Sequence, residues 1–388
     1  MTDYVSPVQS LQEGHWFKLI CGASYQHLPV VRNLVLAYTL AGADCIDVAA
    51  DPAVITAAQG AIATASHLQP SENAHRPLLM VSLNDGEDPH FRKAILNPQQ
   101  CPAACSQPCV TVCPAEAIAF LNPQTGGVIA DRCYGCGRCL PVCPVQQITT
   151  ISHTAQPDLV GPFIQAGIVQ ALEIHTQVGR IREFRHLWQT LEPFIPHLQV
   201  LAISCPDGEG LLAYLADLYA FISPLPCPLI WQTDGRPMSG DLGDGVTRAT
   251  VKLAEKVLQA HLPGYVQLAG GTNRHTLAKL KAKGLLHPRL MANRSSLDLR
   301  FPRPYVAGIA YGSFARQLLS AVQAELEMRA AYKLEDHPPL LQTAVALASS
   351  LIDPLKPHRL ISHRQFVTTE RGRDSPAIPA LEQSGGVL

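Results

Sequence analysis

Eight of the twelve cysteines in this chain fall between positions 101 and 143. They read Cys101-x3-Cys105-x3-Cys109-x3-Cys113-Pro114 and then Cys133-x2-Cys136-x2-Cys139-x3-Cys143-Pro144. The second run matches the bacterial ferredoxin pattern, in which three cysteines hold one iron–sulfur cluster and the one before proline serves its neighbour. That crossing predicts Cys133, Cys136, Cys139 and Cys113 around one cluster, with Cys143 lent to the other. The segment is also duplicated: Val112-Cys113-Pro114-Ala115-Glu116-Ala117-Ile118 echoes Val142-Cys143-Pro144-Val145-Gln146-Gln147-Ile148.

The first run is irregular. Ser106 and Ala103 stand where the pattern expects cysteine, and thiols appear at Cys105 and Cys101 instead. Cys101, Cys109 and Cys143 are expected on this cluster. Cys105 decides between four irons, the expectation here, and the three of seven-iron ferredoxins. Zinc favours two separated pairs, and the chain has no secretory signal to suggest disulfides. No triplet has the C-x3-C-x2-C spacing of radical SAM chemistry. Two [4Fe-4S] clusters and electron transfer follow.

With 388 residues the chain has room for a large domain and a smaller one. A net charge of −1 argues against nucleic-acid binding. No apolar run reaches the roughly 20 residues of a membrane span. A cytoplasmic protein is the expectation.

Eight short β-rich runs recur along the chain: Phe17–Ala23, Cys45–Ala49, Leu78–Leu83, Ala171–His175, Val200–Ser204, Leu229–Gln232, Tyr265–Ala269 and Val306–Ala310. Helical patterns separate most of them, and Phe314–Ala331 reads as one such helix. Eight β/α units predict a TIM-barrel-like (β/α)8 fold, with a doubly wound open sheet as the alternative. The cysteines fall between the third strand and the third helix, so a ferredoxin-like domain would be inserted over the barrel mouth. The expected organisation is 1–98 and 151–335 for the barrel, 99–150 for the insertion, 336–366 for a helical extension including Leu340–Leu351, and 367–388 for a disordered tail.

Other strand ends carry candidate chemistry. The loop after the sixth strand offers Arg236 as an anion clamp, oriented by Asp234 and Asp241; an ordinary turn is the alternative. Gly270, Gly271 and Thr272 after the seventh strand, with Gly312 and Ser313 after the eighth, suit a phosphate such as that of flavin mononucleotide. A plain turn with Thr272 as a helix cap competes with that. Glu173 and His175 share one face of the fourth strand, where they could move protons or make structural hydrogen bonds. Cys21, Cys45 and Cys227 read as apolar filler. Cys205, at a strand end, is the one candidate redox thiol among the four.

The double cysteine run, with Glu173-Ile174-His175-Thr176-Gln177-Val178-Gly179-Arg180 and Trp231-Gln232-Thr233-Asp234-Gly235-Arg236-Pro237-Met238-Ser239-Gly240, resembles the cyanobacterial light-dependent period (LdpA) family over nearly the whole chain. That resemblance implies an iron–sulfur redox sensor that passes the cell's redox state, which follows light intensity, to the circadian clock input. It also implies partners: a redox carrier such as ferredoxin or quinone, and clock input proteins such as a histidine kinase. Against this sensor stands a ferredoxin-linked oxidoreductase with a flavin or phosphorylated substrate at the barrel mouth.

Overall fold

Eight parallel strands close on themselves. In the computed structural model, which describes residues 6–70, 75–122, 125–235, 247–287, 290 and 304–356, the barrel strands are β1 (Trp16–Ile20), β2 (Cys45–Ala49) and β3 (Leu78–Asn84). Four strands of the insertion come next: β4 (Arg92–Leu96), β5 (Ile118–Asn122), β6 (Thr125–Val128) and β7 (Ile148–Ser152). Barrel strands β8 (Ala171–His175), β9 (Val200–Pro206), β10 (Leu229–Asp234), β11 (Tyr265–Ala269) and β12 (Gly308–Tyr311) complete the ring, in the order β1-β12-β11-β10-β9-β8-β3-β2. The open-sheet alternative is excluded by the β1–β12 pairing, in which Trp16 lies opposite Gly308.

Strands buried on both faces read as apolar runs, because helices cover the outside and side chains fill the inside. All seven residues of β3 are buried. The surrounding helices show the matching stripe. Helix Ile181–Leu191 buries Phe184, Leu187, Trp188 and Leu191, at spacings of three and four. Each such side chain contributes about 1.5–3 kcal/mol on leaving water. Asp51 caps helix Pro52–Leu68, accepting from the amides of Ala53 (2.9 Å) and Val54 (3.1 Å). The predicted helix Phe314–Ala331 is two helices, Ser313–Leu318 and Ser320–Met328, broken at Leu319, whose side chain is fully buried. Helix Pro338–Ile352 follows the barrel. The turn before it is tied to helix Leu28–Ala41 by a two-pronged pair from Arg32 to Glu335 (2.7 and 2.5 Å).

The cysteine module leaves the barrel at the C-terminal end of β3 and returns before β8. β4 and β7 pair antiparallel, and β5 and β6 form a hairpin. Asn84 pins both crossings: its side chain accepts from the Ala155 amide (3.0 Å) and donates to the His153 carbonyl (3.2 Å). Lys93 ties the module to the barrel through Gln26 (2.5 Å). Tyr134 packs edge-on against Tyr25 and under the Arg316 guanidinium, 4.4 Å from its ring. The insertion therefore lies over the barrel mouth. Among the described residues no helix is long and apolar enough to cross a membrane. Arg236, Asp241 and the tail 367–388 lie outside the described residues.

Candidate functional site: two thiol sets above a charged barrel mouth

The duplication seen in the sequence is a duplication of backbone. Cys109 lies in helix Pro108–Val112 and Cys139 opens helix Cys139–Val142. Two residues ahead of each, Gln107 (φ 52) and Gly137 (φ 75) take the left-handed conformation that turns the chain. Cys113 and Cys143 end those helices, and Glu116 (φ 48) and Gln146 (φ 53) repeat the left-handed turn three residues later. That turn aims amides at sulfur: Ala117 N lies 3.2 Å from Cys113 Sγ, and Gln147 N lies 3.3 Å from Cys143 Sγ. Ala94 N reaches Cys133 Sγ (3.3 Å) and Gln107 N reaches Cys105 Sγ (3.4 Å). Such N–H donors favour thiolate over thiol.

The thiols fall into two electrostatic neighbourhoods. Burial raises the Cys139 thiol to about 12, and the charges of Cys136, Cys133 and Cys113 add to the rise. Cys101 is raised by burial and then by Cys105 and Cys143; Cys109 by burial, Cys143 and Cys101. Cys143 goes the other way: burial pushes it up, but amides led by Gln147 outweigh that and lower it. A positive centre between such thiols would favour their ionised, ligating form. A single zinc ion, with Zn–S bonds near 2.3 Å, would draw its thiols to about 3.8 Å from one another. Among the described residues no three thiols lie within 4.8 Å of one another, farther apart than a single zinc ion would draw them. Cys113, Cys133, Cys136 and Cys139 line one small cavity with apolar Ala94, Ala117, Ile118 and Val128. The donor chemistry and this cradle fit an iron–sulfur cluster. All the described cysteines are free, without disulfides.

Beneath the module, the barrel register gathers charge. β3 and β8 pair Ser82 with Glu173, and β1 and β2 pair Ile20 with Asp47. Lys18, fully buried, contacts Glu173 directly and lies 3.4 Å from Asp47. Ser82 donates to Asp47 (2.8 Å), and Gln232 donates to Glu173 (2.5 Å). His175 Nε2 lies 2.8 Å from Glu173, and His90 Nδ1 lies 2.9 Å from Asp88. Burial works against the Lys18 charge, but Glu173 and Asp47 outweigh it and hold the ammonium protonated. Glu173 is lowered because Lys18 and His175 outweigh burial. Asp47 is raised because, for it, burial wins over Lys18. Burial also raises Asp234, only partly offset by His90.

The predicted residues converge. Asp234, Gly270, Gly271, Thr272, Gly312 and Ser313 line one cavity at the mouth, and Gly135 and Cys136 form its opposite wall. Gly270 (φ 60) and Gly271 (φ 100) need the left-handed region, so the turn requires glycine. Thr272 is not a helix cap; its hydroxyl donates to Ala310 O (2.6 Å), and the helix begins later, at Thr276. Glu173 and His175 do share the interior face. Cys205 is buried and raised to about 12 by that burial, which removes its thiolate character as a redox group. Lys18, Asp47, Asp88 and His90 went unseen in the sequence. Lys18 stands alone in an apolar run, and Asp88-Pro89-His90 precedes the first cysteine run with no spacing to mark it.

Comparison with known proteins agrees with this division. Residues 101–154 match the family model described as the LdpA Fe-S cluster-binding domain, and residues 163–354 match the Light dependent period A C-terminal domain. A 61-residue stretch is 43% identical to Protein NrfC homolog of Haemophilus influenzae, covering 15% of this chain and 27% of that protein. Over 350 residues the chain is 49% identical to Light dependent period A of Synechococcus elongatus, covering 90% of this chain and 94% of that protein. Identity of that extent, with an iron–sulfur module above a closed barrel, means that the chain belongs to the light dependent period A family.

Proposed function

We propose that the chain holds two four-iron clusters, one on Cys113, Cys133, Cys136 and Cys139, the other on Cys101, Cys105, Cys109 and Cys143, and that it relays redox state rather than turning over a substrate. Its input is a carrier such as ferredoxin or quinone, and its output is altered affinity for clock input partners such as a histidine kinase. The relative's name ties it to a light-dependent period, and redox state that follows light is the signal this proposal assigns. When bound, such clusters take up and release single electrons at potentials set by hydrogen bonds and exposure. The chain's own residues hold the sulfurs, tune them through the amides of Ala94, Ala117 and Gln147, and present Cys136 to the barrel mouth. That shared wall is the observation that carries the proposal: a change at the second thiol set is felt in the cavity beneath it.

Iron counting with electron paramagnetic resonance on anaerobically purified protein tests the ligand sets. About eight irons per chain are expected, and about four after Cys101→Ala with Cys109→Ala. Four irons in the unaltered protein would overturn the assignment. Partner affinity measured under oxidising and reducing conditions tests the relay; identical values would sink it.

The convergence of Asp234, Gly270, Gly271, Thr272, Gly312 and Ser313 in one cavity favours a second reading, an oxidoreductase that binds flavin mononucleotide or a phosphorylated substrate there. A flavin band in the purified protein, or saturable flavin mononucleotide binding weakened by Gly271→Val, supports it. No binding at millimolar flavin rules the flavin form out.

A further inference from the structure

The barrel mouth buries four carboxylates beside one lysine and two imidazoles. Asp47, Asp88, Glu173 and Asp234 are each at most 6% exposed, and Lys18 is the lysine among them. Lys18 serves Glu173 and Asp47. Asp88 and Asp234 turn to two imidazoles instead. His90 Nδ1 is 2.9 Å from Asp88 Oδ1, His175 Nδ1 is 3.6 Å from Asp88 Oδ2, and His90 Nε2 is 3.4 Å from Asp234 Oδ2. One donor atom from each of Asp88, His90 and His175 lies within 4.8 Å of the others. Asp234 Oδ1 is buried with no hydrogen-bond partner. A buried carboxylate oxygen left without a partner is costly unless something else satisfies it.

We propose that Asp88, His90 and His175 ligate a divalent first-row transition-metal ion. The spacing suits one ion. Bonds near 2.1 Å in tetrahedral or octahedral geometry set neighbouring donors roughly 3.0–3.4 Å apart, and here Asp88 lies 2.9 Å from His90 Nδ1 and 3.6 Å from His175 Nδ1. Two imidazoles with carboxylates suit zinc, iron or manganese rather than calcium. Glu173 Oε1, 2.8 Å from His175 Nε2, orients that ring so that Nδ1 faces Asp88, as carboxylates do behind ligating histidines. Access exists: Asp88, His90, His175 and Asp234 also border a cavity of about 320 Å³ on the outer side, near Arg180. The site shares no ligand with either thiol set and depends on neither functional reading.

The test uses the full chain with its clusters intact, held anaerobically and stripped of loosely bound metal. Mn²⁺ is titrated and free Mn²⁺ followed by its six-line paramagnetic signal. The expected result is one Mn²⁺ per chain, displaced by Zn²⁺. His90→Ala with His175→Ala should weaken binding at least tenfold, with iron content and cluster absorbance unchanged. Should that pair lose its clusters, the near-isosteric Asp88→Asn decides, and it should weaken Mn²⁺ severalfold. No bound Mn²⁺ or Zn²⁺, or wild-type affinity in Asp88→Asn, overturns the site.

Discussion

The two ends of the barrel both bury charge, and they do so to opposite effect. At the N-terminal end, Lys356 donates to both oxygens of Asp44 (2.7 and 2.6 Å) and to Ser10 (3.0 Å), beside His15. Asp44 also accepts from the Phe17 amide (2.7 Å). One cation meets one anion, and the knot joins the segments before β1 and β2 to the end of the C-terminal helix. At the C-terminal end, four carboxylates share one lysine and two imidazoles, and an oxygen of Asp234 lacks a partner. In barrels of this kind the lower face is built for stability and the upper for function. The end closed by one knot and the end with an unpartnered carboxylate oxygen follow that division.

The sharpest way to break this comparison is at Asp44. Asp44→Asn leaves the Lys356 ammonium buried without its charge partner, and breaking such a pair costs about 3–5 kcal/mol. Urea midpoints of anaerobic protein should fall accordingly. A loss below about 1 kcal/mol would mean that the lower knot is incidental.

Gly135 tests how rigidly the upper end is closed. Its φ is 71, and a Cβ there would meet the Arg92 carbonyl oxygen at 2.1 Å. Gly135→Ala should cost roughly 1–3 kcal/mol in backbone strain and displace Cys136, lowering iron retention by the Cys113, Cys133, Cys136 and Cys139 set. Full iron content at wild-type stability would show that the loop tolerates movement and that the shared wall is loose.

Asp234→Asn should have the opposite sign to Asp44→Asn. It removes a carboxylate whose charge burial disfavours more than His90 favours it and keeps the shape, so stability should hold or rise by about 1 kcal/mol, as at sites where stability is given up for function. A loss of 2 kcal/mol or more would place Asp234 in the structural framework with Asp44.

These contrasts explain what the sequence made legible. The cysteines were readable because cluster ligands sit at fixed short spacings, and the barrel because two-sided burial makes each strand an apolar run. Glu173 and His175 were readable because alternation along β8 sets them on one face. Lys18 was not, although a lone lysine in the run Trp16–Ile20 is the signal that could have exposed it; its partner Glu173 lies 155 residues away, and nothing local links them. The lower knot was equally hidden, since Lys356 and Asp44 are 312 residues apart. Asp88 and His90 escaped because the strand pair β4–β7 begins the module ahead of the first cysteine, and pairing between Arg92–Leu96 and Ile148–Ser152 leaves no local pattern.

The smallest effect is a pH dependence of the lower knot. Burial, and then the charge of Lys356, lower the His15 pKa below its ordinary value against the pull of Glu13 and Asp44. The folded chain therefore holds His15 neutral where the unfolded chain begins to take up a proton. The stability it contributes is complete above about pH 6.5 and is lost as the pH falls from there towards the lowered folded value. One proton limits the slope to about 1.4 kcal/mol per pH unit. His15→Gln should flatten the fall in stability across that window relative to wild type, with little change above pH 7. Parallel curves for the two proteins between pH 7 and pH 5 would show that His15 takes up its proton in the fold as readily as in the unfolded chain, with Glu13 3.1 Å away to receive the charge.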